Sequence, residues 1–397
     1  MRLAFVSSIP CTPTFGGPLQ IHRHFAERQD FEFFDFSDNK TPEWEQWLGA
    51  NWGNSRSFKR ISNTRLHPYL LAAAFGTRLN RSAKELLPKV LAVRPQAIVT
   101  VAYGRQAFVA QRIAEKMRLP LITFFHDWWP DLLYSLTPLT RRWLDNKMRS
   151  LARASALVLS VGPELIAELE PHPNAVVLPP IPAALPNELN QPKIEAPLLP
   201  KPPLLVYAGT LGGDYGAMIR ELGNVYLANP RPQWRLRAYG RADDWNENDR
   251  RRLSEAGVYG GYLNQGSPMQ AALAQADALL VVMDFEPKNR RRVRTSFPSK
   301  ILDYAPFGKP LVVWGPEECA AAGFMRSRNV GLLVNSPEPR IFISELEEMF
   351  ADAGRRARLG ETFRQLSQSI FNPKIIHAEM KREIEEVLNS RASAPKK

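Results

Sequence analysis

The chain has 397 residues, 44% hydrophobic and 23% charged, which supports two ordinary cores and excludes a disordered or fibrous chain. Two cysteines far apart, Cys11 and Cys319, exclude a disulfide framework and a zinc site of CxxC spacing. Lysine and arginine number 52 against 40 aspartates and glutamates, a formal charge of +12.

The excess is diffuse: 22 basic and 15 acidic residues through Leu185, then 30 and 25 beyond it. Nucleic acid, an anionic membrane face and a phosphorylated substrate all suit such a balance, and charge alone does not choose among them. No apolar run reaches the roughly 18–20 residues of a bilayer span. The opening Met1-Arg-Leu-Ala-Phe-Val-Ser-Ser is soon broken by Pro10, Pro13 and a glycine pair. It reads as a buried first strand, not a signal peptide, so a cytoplasmic protein is expected.

Strands are predicted at Leu3–Ser7, Ala97–Val101, Leu121–Phe125, Ala156–Ser160 and Ala175–Leu178, with helices such as Gln106–Met117 and Pro163–Glu170 between them. This alternation implies crossover connections and a parallel sheet covered on both faces. Thr41–Arg81 breaks the pattern: it carries Trp44, Trp47 and Trp52 and reads as a helical or loop insertion. Its role stays open between surface packing and part of an acceptor site or membrane-facing lip. From Pro179 to Pro203 the chain is too proline-rich for a helix or central strand. The predicted layout is a first domain over 1–183, a linker over 184–203, a second domain over 204–372, and a C-terminal helix with a polar tail over 373–397. Strands resume at Leu204–Ala208, Trp234–Tyr239, Ala278–Val282, Pro310–Trp314 and Gly331–Val334. Helices are predicted at Asp214–Ala228, Pro268–Gln275, Ser299–Phe307, Ile341–Ala351, Arg355–Ser369 and Pro373–Asn389. The fold class is α/β, with two Rossmann-like doubly wound parallel-sheet domains facing a central cleft, and ligands are expected outside the carboxyl ends of the strands.

Five segments stand at such ends. Phe15-Gly16-Gly17-Pro18 lies before a predicted helix at Ile21–Arg28, where glycines let amides approach a phosphate; the spacing is not GxGxxG, and an ordinary turn fits equally. Phe125-His126-Asp127-Trp128-Trp129 follows a strand: His126 can donate to a hydroxyl, and the tryptophans offer flat apolar walls to sugar rings. Lys288-Asn-Arg-Arg-Arg-Val-Arg294 carries five basic residues on a strand-to-helix loop and leads into Thr295-Ser-Phe-Pro-Ser-Lys-Ile-Leu-Asp303. With Ser296 or Phe297 at the cap and Pro298 in the first turn, amides, helix dipole and Lys300 converge on one point, a way to hold a diphosphate without a metal. Asp303 then sits where it can accept from paired ribose hydroxyls. Gly209-Thr210-Leu-Gly-Gly213 and Tyr239-Gly240-Arg241 are weaker candidates for shaping a base and phosphate pocket.

These motifs resemble the GT-B glycosyltransferases, particularly the large retaining group called family 4, over nearly the whole chain. The likeness runs through Pro-Leu-Ile-Thr-Phe-Phe-His-Asp127, Ala-Ser-Ala-Leu-Val-Leu-Ser-Val161, Leu-Val-Tyr-Ala-Gly-Thr-Leu211, Gly-Gly-Tyr-Leu263 and Ala-Asp-Ala-Leu-Leu-Val281. Its most specific part is Phe297-Pro-Ser-Lys-Ile-Leu-Asp-Tyr-Ala-Pro-Phe-Gly-Lys-Pro-Leu-Val-Val313. The resemblance implies that Gly16 and Gly17 lie against donor phosphates, that His126 contacts the transferred sugar, that Ser299 and Lys300 bind diphosphate, and that Leu263 offers backbone contacts to the base. Asp303 stands where the family's second glutamate holds the ribose. The implied catalytic residues are His126, Lys300 and Arg294; Thr210, Gly240, Arg241, Ser296 and Ile301 complete the donor site. A sugar passes from a nucleoside-diphosphate sugar to a glycan, lipid-linked or other acceptor with retention, and no metal or other cofactor is required. The expected partners are that donor, that acceptor and an anionic membrane at the inner face of the cytoplasmic membrane.

Thr295 stands at the family's first acidic position, and Asp303 replaces a glutamate at the second. The Arg and Lys that usually follow the restart strand are missing from Gly209–Gly216, where Asp214 appears; Arg290–Arg294 is the expected substitute. These departures motivate a second reading, a catalytically degenerate GT-B protein that binds a sugar nucleotide or glycan in polysaccharide assembly. A sugar-nucleotide epimerase fits less well around Phe297–Asp303. Nucleic-acid binding is disfavoured, since the charge is diffuse and no reading motif is present.

Overall fold

The computed structural model describes residues 1–14, 16–37, 67–133, 138–183, 202–229, 233–264 and 266–392. The Trp44–Trp52 cluster, residues 184–201 of the proline-rich linker and the last five residues of the tail lie outside the described residues. The chain forms two compact units, Met1–Ile181 with Ile376–Lys397, and Pro182–Ile375.

In the first unit six strands run parallel: β1 (Arg2–Phe5), β2 (Glu32–Asp35), β3 (Ala97–Val101), β4 (Leu121–Phe125), β5 (Leu157–Ser160) and β6 (Ala175–Val177), in the order β2-β1-β3-β4-β5-β6. Every residue of β3, β4 and β5 is buried. That explains their unbroken apolar sequences: a parallel strand covered on both faces has no polar side. The edge strand β2 was not predicted. Its four residues, Glu-Phe-Phe-Asp, are charged at both ends and nowhere fully buried, so they lack that signature.

Helices α1 (Gly16–Phe25), α2 (His67–Ala92), α3 (Gly104–Met117), α4 (Pro138–Ala154) and α5 (Pro163–Glu168) connect these strands. The end of the Thr41–Arg81 segment is therefore the first part of α2, which packs on α3. The C-terminal helix, here α14 (Pro373–Ala392), counts with this unit from Ile376 onward. Ile376, Met380, Ile384 and Val387 recur at helical spacing and are all buried. Beside them His377 Nε2 meets Asp30 Oδ2 at 2.7 Å, and its ring stacks on His24 with centroids 5.9 Å apart.

The second unit holds β7 (Leu204–Ala208), β8 (Arg235–Tyr239), β9 (Ala278–Val282), β10 (Leu311–Trp314) and β11 (Gly331–Val334), parallel in the order β11-β10-β9-β7-β8. Its helices are α6 (Gly213–Ala228), α7 (Glu247–Glu255), α8 (Ser267–Ala274), α9 (Arg290–Thr295), α10 (Lys300–Tyr304), α11 (Ala320–Arg328), α12 (Pro339–Ala351) and α13 (Ala353–Gln368). Local chemistry starts two of them: Asn246 Oδ1 accepts from the Asp249 amide at 2.8 Å, and Asp352 Oδ1 from the Arg355 amide at 2.7 Å. Leu205, Tyr207, Leu236, Leu280, Trp314, Phe342 and Leu346 share one core; each large apolar side chain so buried contributes about 1.5–3 kcal/mol.

The strand order reverses once in each sheet. In the first unit β1 lies between β2 and β3, and in the second β7 lies between β8 and β9. Chains leaving adjacent strands at such a reversal diverge to opposite faces and open a crevice at the carboxyl ends.

Candidate functional site

At the reversal of the first unit, Ser7 Oγ accepts from the Ile9 amide at 2.9 Å, and Ser8 Oγ accepts from the Gln106 amide at 3.3 Å, which ties the β1 loop to the start of α3. The glycine pair does not precede a helix at Ile21, as the sequence suggested; it begins α1 itself, with Gly16 at φ +57°. A left-handed start suits glycine best, so helix can form five residues earlier than the apolar pattern indicates. A Cβ on Gly17 would lie 3.5 Å from Ile9 Cγ2 and 3.7 Å from His126 Nδ1. Gly17 and His126, 109 positions apart in sequence, are thus brought together.

His126 sits just beyond β4, its ring 6.0 Å from that of Phe124. Burial lowers its pKa to about 4, so the imidazole is neutral at pH 7, with one nitrogen to donate and one to accept. The two tryptophans beside it are not exposed walls. Trp128 and Trp129 are 1% and 2% exposed. Trp128 Nε1 donates to Asp145 at 2.6 Å, and Trp129 packs against Tyr103 with centroids 6.0 Å apart. Their area is used in packing, where large aromatic rings stabilise most.

At the reversal of the second unit the loops after β7 and β8 converge. Gly209 N donates to the Tyr239 carbonyl at 2.9 Å, Leu211 N to Arg241 at 3.2 Å, and Gly240 N to Gly261 at 2.9 Å. A Cβ on Gly240 would fall 1.8 Å from the Gly209 carbonyl oxygen, so these loops approach too closely for any side chain there. Thr210, Gly240 and Arg241 therefore share one loop cluster, in which Arg241 lies 5.0 Å over the exposed ring of Tyr262; Leu263 follows Gly261 by two residues.

Lys300 enters the same place. Its Nζ lies 4.6 Å from the Tyr207 ring centroid and donates to the Tyr207 hydroxyl at 3.3 Å. That hydroxyl in turn donates to the Thr210 carbonyl at 2.7 Å, while Tyr304 Oη donates to the Ala208 carbonyl at 3.0 Å and accepts from its amide at 3.1 Å. A Cβ on Gly209 would stand 1.8 Å from Lys300 Nζ, so the lysine occupies the space of the missing side chain. Burial lowers the ammonium to about 8 and pushes both tyrosines well above the usual phenol. No carboxylate pairs with Lys300 among the described residues. Neither tyrosine was singled out from the sequence, although Tyr304 stands four residues after Lys300, on the same helical face.

The helix carrying Lys300 starts later than predicted. Ser299, not Ser296 or Phe297, is its N-cap, and α10 has five residues before a 3₁₀ turn at Ala305–Phe307. So short an element aligns few peptide dipoles, and the side chain of Lys300 carries more of the charge than the dipole does. Ser296 instead ends α9. Ile301 has little to offer a ligand: its side chain is fully buried and its amide donates to Pro298 at 3.0 Å. Asp303 Oδ1 accepts from the Ala183 amide at 3.2 Å.

The arginine run is a short helix, α9, rather than a loop, and Arg290 and Arg292 are among its matched charges. Arg290 Nε meets Glu318 at 2.7 Å. Arg292 Nη2 lies 3.4 Å from Asp214 and 3.3 Å from Asp284, with its guanidinium 5.8 Å over Tyr215. Asn289 donates to both aspartates. Arg292 therefore serves this cluster and is no simple substitute for the cations missing after β7; Asp214, which marked their absence, is one of its partners. Burial raises the Asp284 carboxyl against these stabilising contacts. Arg294 lies in the last turn of α9, partly buried. Thr295 is 1% exposed, and its hydroxyl donates to the Arg291 carbonyl at 2.9 Å.

The chain matches no protein-family model and no curated protein. Solved structures do match over almost its full length. HepE of Anabaena in complex with UDP superposes with a TM-score of 0.63 at 13% identity, covering 97% of this chain and 100% of that one. Sucrose-phosphate synthase from Thermosynechococcus elongatus gives 0.65 at 15%, covering 98% and 99%. The chain has the GT-B fold. A further GT-B neighbour is the lipopolysaccharide outer core galactosyltransferase WaaB in its apo form, at 0.58 and 15% identity, covering 97% and 99%. In open α/β sheets a reversal of strand order such as the two described above is where a ligand crevice forms.

Proposed function

We propose that this protein is a glycosyltransferase that moves a sugar from a nucleoside-diphosphate sugar to a glycan or lipid-linked acceptor. The observation that carries the reading is Lys300, a partly buried cation over an aromatic ring with no carboxylate paired to it among the described residues. A buried ammonium without counter-charge is destabilising, and an arriving anion offsets that cost. The GT-B fold, shared with HepE solved with UDP and with UDP-glucose, suggests a nucleoside diphosphate as that anion.

In this reading, charge builds on the diphosphate as its bond to the anomeric carbon breaks, and Lys300 stabilises it from a fixed position. The ammonium does this work without a metal. Gly209 and Gly240 keep the loop backbone close to the phosphates, and neutral His126 hydrogen-bonds a sugar hydroxyl. Retention at the anomeric carbon follows from the family resemblance, and action at the inner face of the cytoplasmic membrane suits the net charge of +12.

One observation favours a second reading, a GT-B protein that binds donor without turnover. Thr295, at the family's first acidic position, is buried with its hydroxyl bonded to backbone. Thermal shift against UDP, GDP, ADP and dTDP, followed by transfer and hydrolysis assays with the matching sugar nucleotides with and without EDTA, separates the two. A nucleotide at 100 times its Kd adds about 2.7 kcal/mol, and Lys300→Ala should remove most of that gain. Stabilisation by none of the four overturns the proposal, whereas binding with neither transfer nor hydrolysis selects the second reading.

A further inference from the structure

His24 and His377 come from opposite ends of the chain, 353 positions apart, and stack in the first unit with ring centroids 5.9 Å apart. His24 lies on the inner face of α1 and is 3% exposed; His377 lies at the start of the buried face of α14 and is 5% exposed. Apolar rings surround them. Phe25 and Phe124 are 6.3 and 6.2 Å from His24, and Phe31 is 5.9 Å from His377. Nδ1 of each imidazole is buried with no hydrogen-bond partner among the described residues.

With Nε2 of His377 donating to Asp30 Oδ2 at 2.7 Å, its Nδ1 is a bare lone pair. A proton there would create a buried N–H with nothing to accept it, and a charge against a second imidazole. The titratable and charged groups around His24 are His377 on α14, His126 beyond β4, and Arg28 and Arg23; none is an acid. Around His377 they are Asp30, Arg28 and Lys381. Burial holds His24 well below the ordinary 6.5, reinforced by its four neighbours. Burial lowers His377 too; Asp30 opposes that shift, while Arg28 and Lys381 add to it.

We propose that the His24–His377 stack is a pH-operated latch, which holds the start of α14 on the first unit while both rings are neutral and releases it on protonation. At Ile376 the chain returns to the first unit, and the buried Met380, Ile384 and Val387 follow His377 along the helix. In a released helix both rings are ordinary imidazoles and take up the protons that the stack excludes. The latch therefore contributes its full stability above about 6.5 and loses it as pH falls below that value. The inference stands on this stack alone and does not require the sugar-transfer reading.

Hydrogen exchange of the full chain at about pH 7.5 and about pH 5.5, corrected for the intrinsic effect of pH, tests it. Each ring that must stay neutral should raise opening roughly tenfold between these values. The Met380–Val387 amides should thus lose about 10- to 100-fold of their protection, while those of α12, in the second unit, keep theirs. His377→Gln keeps a donor toward Asp30 but cannot take a proton, and His24→Leu removes the other titrating ring. Either should reduce the pH dependence, and the double variant should abolish it. Equal α14 protection at both pH values in the wild type overturns the proposal. So does the wild-type pH dependence persisting in the double variant, or an equal loss in α12. Imidazole NMR shifts of the wild type give a readout that needs no variant: protonation of either ring near 6.5 with α14 protection intact also overturns it.

Discussion

Replacing Gly209 with alanine puts a methyl group where the end of Lys300 now lies. The added Cβ would stand 1.8 Å from Nζ and 2.4 Å from Cε. Non-bonded carbons rest about 3.5–4.0 Å apart, so the ammonium must retreat by about 2 Å. The backbone does not resist, because Gly209 is not among the glycines of positive φ. What is lost is the contact over Tyr207, about 0.5–2 kcal/mol, offset as the displaced ammonium regains water. Stability should therefore change little. A charged hydrogen bond to phosphate contributes about 1.5–3 kcal/mol, so UDP should bind roughly 10- to 150-fold more weakly. Isothermal titration of UDP measures this directly, with Lys300→Ala and the double variant as controls. If Gly209→Ala acts only through the lysine, the double variant should bind no more weakly than Lys300→Ala. Wild-type affinity in Gly209→Ala, or effects that simply add, would refute the reasoning.

The lowered ammonium of Lys300, about 8, predicts that UDP affinity declines as pH rises from 7 to 9.5, a range in which the nucleotide's own phosphate is already ionised. Between about 8 and the ordinary 10.5 the unfolded chain holds a proton that the folded chain has released, so this group's contribution to stability rises with pH across that window. A flat affinity profile counts against the site. Asp284→Ala leaves Arg292 and Asn289 facing a vacated, nearly buried position and should cost about 3–5 kcal/mol, read as a lower urea midpoint; an unchanged midpoint means that the cluster contributes nothing. Met380→Ala, at a fully buried position of α14, should cost about 2–5 kcal/mol by the same measurement.

Much of the fold was legible because its strongest signal is local. A fully covered parallel strand such as Ala97–Val101 or Ala278–Val282 must be apolar at every position, and no distant partner is needed to see it. Strand β2 escaped because an edge strand with charged ends need not obey that rule. The sequence also brought Lys300 forward, as a cation opening a helix after an arginine-rich stretch. It did not show which cations were already matched, since ion pairs depend on distance in space.

By itself, then, the sequence determined the alternation of elements and the parallel sheets, and it singled out the segment from Thr295 to Asp303 as a candidate site. Tertiary structure decided how charge is distributed there. Asp214 and Arg292, 78 positions apart, meet beside Asp284, so a run that read as a free basic patch is partly neutralised. Gly209 and Lys300, 91 positions apart, interlock so that one residue's missing side chain is the other's space. Trp128 and Trp129, which read as sugar-binding walls, became core. The physical reason is the same in each case: composition and spacing specify what a residue can do, and only its neighbours in the folded chain determine whether that capacity is already used.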